Sequence, residues 1–500
     1  MTDMATRIDA AVERAAPEAP LLLDFDETLW LRNSTEAFLD SLRPRWLAAL
    51  VLRVLDLCRP WMLLPGPRRE LVWRDWLRVM SVVLVMPWSL ALWRRHARHI
   101  AVEHWNSELL AIHRRRGSAG LFIVSNGFRC IIGPMLDGLD GERPTLLAAP
   151  LWSGWSWRRR GKRAAVEQAL GAERMRRAVF VTDNDEDQEL LAAVADGFHH
   201  RWPGAVYQPA MRDAYVPFDY IETVKRPGKK WFARCLLADE LPVIILAYAL
   251  FASSPWLAVL VLLFAHLSLW TIYEAGYVEN DRVGSRIETD PVLSDEFLAG
   301  GDRRFSERGA WLYAFGLAAI GAALMAVGAL STSAIITPLL AEGSPHLLMI
   351  VEALIVWMVY LLAMRGLFHF YNHLAKPKRV IVHLLLQLSK TMGFVIWFGL
   401  SVPGAALLIA HAVSRWLPYY LYRFGRPEHI WAAPDKDLRL VLFLIITGVF
   451  MFSEVPLQPL DLLPVMIMSA FLLFRVFRER RALKAVEQSP EPMGGATSLV

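Results

Sequence analysis

Two carboxylates one residue apart, Asp24 and Asp26 in the run Asp24-Phe25-Asp26-Glu27-Thr28, stand where a short apolar stretch ends. Phosphoryl transfer needs a nucleophile, an acid/base facing the same pocket, and a cation to offset phosphate charge. Further along the chain lie residues able to complete such a site. Thr28 and Ser125-Asn126 can donate hydrogen bonds to phosphate oxygens, and Lys162, following Gly161, can place an ammonium on the same group. Asp183, with Asp187 four residues later, supplies carboxylates for a hard, oxygen-coordinated cation such as Mg2+. Alone, D-x-D-x-T also fits a solvated acidic turn; the order of all these groups along the chain is what points to chemistry.

These side chains need elements to hold them. The runs 21–23, 121–124 and 178–182 are short and apolar, and each ends at a polar residue, Asp24, Ser125 or Asp183, as buried parallel strands do. Helical patterns such as 163–170 lie between them. The expected first part is therefore an α/β doubly wound domain over 20–222, with its site at the strand C-termini. A long Trp- and Arg-rich helical region, about 34–118, follows the first strand and reads as a helical cap over the site. Its apolar stretches, 46–65 and 79–93, also fit a hairpin on or in a membrane surface, a reading the Trp/Arg mixture favours.

The chain has 500 residues and a hydrophobic fraction of 55%, more apolar matter than one soluble domain needs. Most of the excess lies beyond a basic linker, 223–236. Eight runs there approach the roughly 20 residues that cross a bilayer core: 239–253, 256–275, 310–330, 347–364, 380–400, 404–421, 438–453 and 460–476. An all-α polytopic membrane domain of about eight transmembrane helices over 237–478 is the expectation, with 1–19 and 479–500 as disordered ends. Lys and Arg occupy alternate connections, including Arg303, Arg304, Lys376, Lys378, Arg426 and Lys436, while the others carry none. By the inside-positive rule both termini and the first domain face the cytoplasm of a cell with an inner membrane. This clustering also accounts for the formal net charge of +5 without nucleic acid. Cys58, Cys130 and Cys235 have no metal-ligand spacing and form no disulfide framework. The N-terminus carries no apolar signal segment.

The motifs of the first part resemble those of the haloacid-dehalogenase superfamily, across roughly 20–205. The resemblance implies Asp24 as a nucleophile forming an aspartyl-phosphate and Asp26 as general acid/base. It implies Thr28, Ser125, Asn126 and Lys162 as phosphate binders, and Asp24, Asp26, Asp183 and Asp187 around Mg2+. Glu27 stands where that family often has Gly, and Thr182 where Gly often precedes the metal-binding Asp.

In the second part, Asn280, Asp281 and Glu288 lie after the second apolar run, where carboxylates could hold Mg2+ on a diphosphate. Here the chain resembles the UbiA superfamily of intramembrane prenyltransferases, some of which carry a haloacid-dehalogenase domain in front. Against that family's N-D-x-x-D-x-x-x-D motif, Gly284 and Glu288 replace two aspartates. A second acidic motif is reduced to Glu428, Asp435 and Asp437. Within the apolar runs, His266, Glu274, Glu352, Lys390, His411 and Arg415 are functional candidates, because ionisable groups at membrane depth are costly.

The expectation is a membrane enzyme whose head is a phosphatase and whose tail transfers a polyprenyl group from its (di)phosphate to an acceptor. Two alternatives stay open: a membrane-tethered phosphatase whose tail presents or anchors without catalysis, and a transporter or scaffold with a regulatory head.

Overall fold

The structure is a computed structural model, and it describes residues 3–16, 18–116, 120–139, 143–289, 291–328, 346–424, 435–452 and 462–487. Glu428, Asp290, Arg426 and most of the connections 331–346 and 454–459 fall outside the described residues. The chain forms two compact units, Met1–Val216 and Pro217–Val500.

The first unit is built on one five-stranded sheet, all parallel, in the order β3-β2-β1-β4-β5. Its strands are β1 (Leu21–Asp24), β2 (Leu121–Phe128), β3 (Thr145–Ala149), β4 (Val179–Thr182) and β5 (Asp196–His199). β1 and β4 are buried throughout, which is why their sequences run apolar without alternation. Leu23 of β1 pairs with Ile123 of β2 and Val181 of β4. The register therefore sets Asp24, Ser125 and Thr182 within one residue of the same level, at one edge of the sheet.

Between β1 and β2 the chain is helical: Ser34–Asp40, Arg45–Cys58, Arg69–Val85, Ser89–Val102 and Ser107–Arg116. A buried ion pair ties this region together. Arg78 meets both oxygens of Glu36, at 2.5 and 3.2 Å, and the same carboxylate accepts from the Tyr207 hydroxyl and the Ala210 amide. The helices Arg69–Val85 and Ser89–Val102 are bent by 115° at the break before Ser89, just after Pro87, and together are apolar enough for a broken span or re-entrant loop.

The second unit is helical. Among the described residues, four helices of this unit are long and apolar enough to cross a membrane: Pro255–Ile287, Glu307–Val327, His346–His373 and Lys376–Ile396. Glycine lets two of them approach closely. A Cβ on Gly276 would lie 2.3 Å from the Phe368 ring, so Phe368 fills the notch that this residue leaves. The segment 217–230 packs into this unit. The Phe218 and Ile221 amides donate to Glu274, and Ser294 donates to the Val224 carbonyl.

The fold differs from the expected one. In place of a haloacid-dehalogenase-like doubly wound domain followed by about eight spans, the structure is 72% helical, and its described residues hold one all-parallel sheet of five strands and four candidate spans, or five if the bent pair is one. The shortfall has local causes. The run 239–253 yields the eight-residue helix Leu241–Tyr248 between a wider and a tighter helical turn. Asp435–Met451 has 17 residues. Val402–Phe424 is a continuous helix whose apolar run is diluted by His411, Arg415 and Pro418, and Leu462–Glu487 carries Arg475, Arg478, Glu479, Arg480 and Arg481. Hydropathy along a sequence registers such runs without registering how the helix ends.

Candidate active site

At the C-terminal edge of the sheet, three small clusters form. The first joins Asp24, Lys162, Thr182 and Asp187. The Lys162 ammonium donates to Asp24 Oδ2 and to Asp187 Oδ2, both at 2.7 Å. Thr182 Oγ1 lies 3.0 Å from the same Asp24 oxygen and 2.6 Å from the same Asp187 oxygen. The other Asp24 oxygen accepts from the Phe25 amide at 2.7 Å. A break in the Gly154–Leu170 helix places the lysine: Gly161 adopts φ +81° and ψ 165°, so a fresh helical segment starts at Lys162.

The second cluster joins Asp26 to Ser125. Asp26 Oδ1 accepts from the Ser34 amide at 2.6 Å, and Oδ2 from the Ser125 hydroxyl at 3.3 Å. Ser125 Oγ in turn accepts from the Gly127 amide at 2.8 Å. A Cβ at Gly127 would lie 3.1 Å from both Asp26 Oδ2 and Ser125 Oγ, so a side chain there would crowd this pair. The third joins Thr28 to Asp183: Thr28 Oγ1 donates to Asp183 Oδ1 at 2.6 Å and accepts from the Asp183 amide at 3.0 Å. Asn126 uses its backbone carbonyl to accept from Arg158 at 3.1 Å, while its buried side-chain oxygen makes no hydrogen bond.

Asp24, Ser125, Lys162, Thr182 and Asp187 are each at most 5% exposed, and this burial governs the charges. Removal from water raises the Asp24 carboxyl to about 7; Lys162 pulls it down, and the neighbouring Asp187 and Asp183 push it further up. Burial also raises Asp26, against hydrogen bonds from Ser34 and Ser125. Lys162 is buried too, yet its proximity to Asp24 and Asp187 raises it and keeps it charged. Thr182 has one proton for two carboxylates, so its contact with the other relaxes when Asp24 carries a proton. Asp24 and Asp187 set two carboxylates on the Lys162 ammonium, with Asp26 and Asp183 in the neighbouring clusters. Carboxylate oxygens are the donors that Mg2+ takes, so in type these residues fit it.

Thr182, Gly127 and Arg158 were not among the expected site residues. Arg158 also donates to Asp75 at 2.9 Å, fastening the end of β2 to the Arg69–Val85 helix. The apolar residues before Thr182 and the spacing of Gly127 from Ser125 were the available signals; for Arg158, one of three consecutive arginines, no signal existed.

The candidates of the second unit are engaged separately. Asp281 accepts from the Tyr220 hydroxyl at 2.7 Å and pairs with Lys225 at 2.5 Å. Glu288 pairs with Arg379 at 2.6 Å and Lys376 at 3.2 Å, and Asn280 donates to Asn372. Asp435 belongs to another cluster, in which Arg415, Arg439 and Arg475 surround Asp239, and Asp437 pairs with Arg480. Lys390 pairs with Glu240 at 2.6 Å, whereas the buried rings of His266 and His411 make no hydrogen bond.

No family model, no curated protein and no solved structure matches the chain.

Proposed function

We propose that the first unit is a Mg2+-dependent phosphohydrolase acting through an aspartyl-phosphate, carried by a membrane-spanning second unit. The observation that carries this reading is the meeting of Asp24 and Asp187 on the Lys162 ammonium, with Asp26 on Ser125 beside them. It agrees with the roles that the resemblance to the haloacid-dehalogenase superfamily implies.

In the proposed reaction, a carboxylate oxygen of Asp24 attacks phosphorus and the bond from phosphorus to the leaving oxygen breaks. Asp26, raised by burial, gives its proton to that oxygen. Asp26 then takes a proton from water as the water attacks the aspartyl-phosphate, releasing phosphate and regenerating Asp24. Lys162, Ser125 and Thr28 orient the phosphoryl oxygens and offset their charge. Bound by Asp24, Asp183 and Asp187, Mg2+ would supply further charge neutralisation.

For the second unit, an anchoring or lipid-phosphate-presenting role is the better-supported reading than prenyl transfer, since Asn280, Asp281 and Glu288 are each held by different partners. We place the connections that carry Arg303, Arg304, Lys376 and Lys378 in the cytoplasm of a cell with an inner membrane; a cytoplasmic first unit and N-terminus then require the helical stretch 232–251, ahead of the Pro255–Ile287 span, to cross as well.

Purified full-length protein with Mg2+ should release phosphate from p-nitrophenyl phosphate or from a prenyl phosphate. Asp24→Asn should lower kcat by more than about 10³-fold. Phosphate release that survives Asp24→Asn, or no release from any phosphoester offered, would refute the reading.

A further inference from the structure

We propose that Glu279, His369 and His373 form a binding site for a divalent transition-metal ion of the zinc class. His369 and His373 are four residues apart at the C-terminal end of the His346–His373 helix, so both project from one face. Their rings lie 4.3 Å apart, and Glu279, from the Pro255–Ile287 helix, brings a carboxylate against them. One ligand atom from each of the three residues lies within 4.8 Å of the other two.

The hydrogen bonds around the group prepare it for a cation. His373 Nδ1 is 2.9 Å from the His369 carbonyl, which can only accept, so the proton sits on Nδ1 and the Nε2 lone pair is left for a ligand bond. Arg365 and Asn372 hold Glu279 Oε2, at 2.7 and 3.0 Å. The remaining oxygen, Oε1, faces His369 Nδ1 at 2.5 Å. A simple ion pair between Glu279 and His369 would not require His373 beside it. Two imidazole nitrogens and one carboxylate oxygen favour Zn2+ over Mg2+, which prefers all-oxygen surroundings. Three protein ligands also leave a coordination position open, and a cavity of about 300 Å³ lined by all three residues, with Arg282 and Arg286, lies there to admit water or an anionic oxygen.

The test uses full-length protein in detergent, purified without a polyhistidine tag, stripped by chelator and titrated with Zn2+ alone. The stoichiometry should fall by one zinc per chain between the wild type and the double variant His369→Ala/His373→Ala. Both histidines are exposed, and matching circular dichroism will establish that their loss leaves the helices formed. Glu279→Gln, which keeps hydrogen-bonding groups for Asn372, should weaken zinc by at least about tenfold. Loaded with Co2+, the wild type should give the visible bands of a low-coordinate site, and the double variant those of the hydrated ion. Equal zinc stoichiometry in wild type and double variant, or no zinc held by the wild type at this site, would overturn the assignment. Either outcome is independent of Asp24, and so of the phosphohydrolase reading.

Discussion

Asp24 carries the sharpest consequence at the scale of single residues. A nucleophilic carboxyl must be ionised, and a raised pKa keeps it protonated over a wider range, so activity should fall as pH drops through about 7 and not through about 4. The acid limb of kcat/KM at limiting Mg2+ measures this. Raising Mg2+ should move the limb to lower pH, because cation and proton compete for the same oxygens. A limb near 4 at limiting Mg2+ would mean that attraction to Lys162 outweighs burial. Glu27 offers a second test. It holds φ +60°, a left-handed conformation that disfavours a side chain, in a pocket already crowded with carboxylates. Glu27→Gly should stabilise the protein by up to about 1 kcal/mol, the relief of strain being partly offset by a more flexible unfolded chain; chemical denaturation will read it. Asp24, Ser125, Lys162 and Asp183 stand out in the sequence because each follows an apolar run or a glycine, and Asp26 because it lies two residues after Asp24. The way Thr182 bridges Asp24 and Asp187 does not, since it depends on the register of β1 against β4.

At the scale of elements, the helices that follow β1 depend on a buried charge pair. Glu36 and Arg78 are both 3% exposed, and their carboxylate and guanidinium meet in two hydrogen bonds. Arg78→Met leaves Glu36 with its other partners but without a counter-charge, which should destabilise the protein by about 3–5 kcal/mol. Replacing both residues by apolar ones of similar size should cost less, and a double-mutant cycle by urea denaturation will measure the coupling. β1, β2 and β4 were readable as short apolar runs because burial on both faces removes alternation, whereas β3 and β5, less buried, were not. Nor were the ends of the membrane-unit helices. Whether an apolar run becomes a 17-residue helix, as at Asp435–Met451, or part of a 33-residue one, as at Pro255–Ile287, depends on caps and tertiary partners that hydropathy does not register.

At the scale of the whole molecule, the expectation is a protein that stays with the membrane and keeps its first unit inside the cell. Cys58 is free and exposed, and it provides a native probe. A membrane-impermeant maleimide should label it only after intact cells are permeabilised, and Cys58→Ser should remove the signal. Labelling of Cys58 in intact cells would reverse the proposed orientation. The alternation of basic and uncharged connections is written in charge alone, whereas the partners that engage Asp281 and Glu288 emerged only once distant segments were placed together. The seating of Phe368 against Gly276 has a mechanical implication. An aromatic ring lodged in a backbone recess works like a key in its slot: the helices carrying it cannot slide by a turn or roll about their axes unless the ring first withdraws. Any rocking motion of the kind transporters use would therefore have to pivot at some other helix pair.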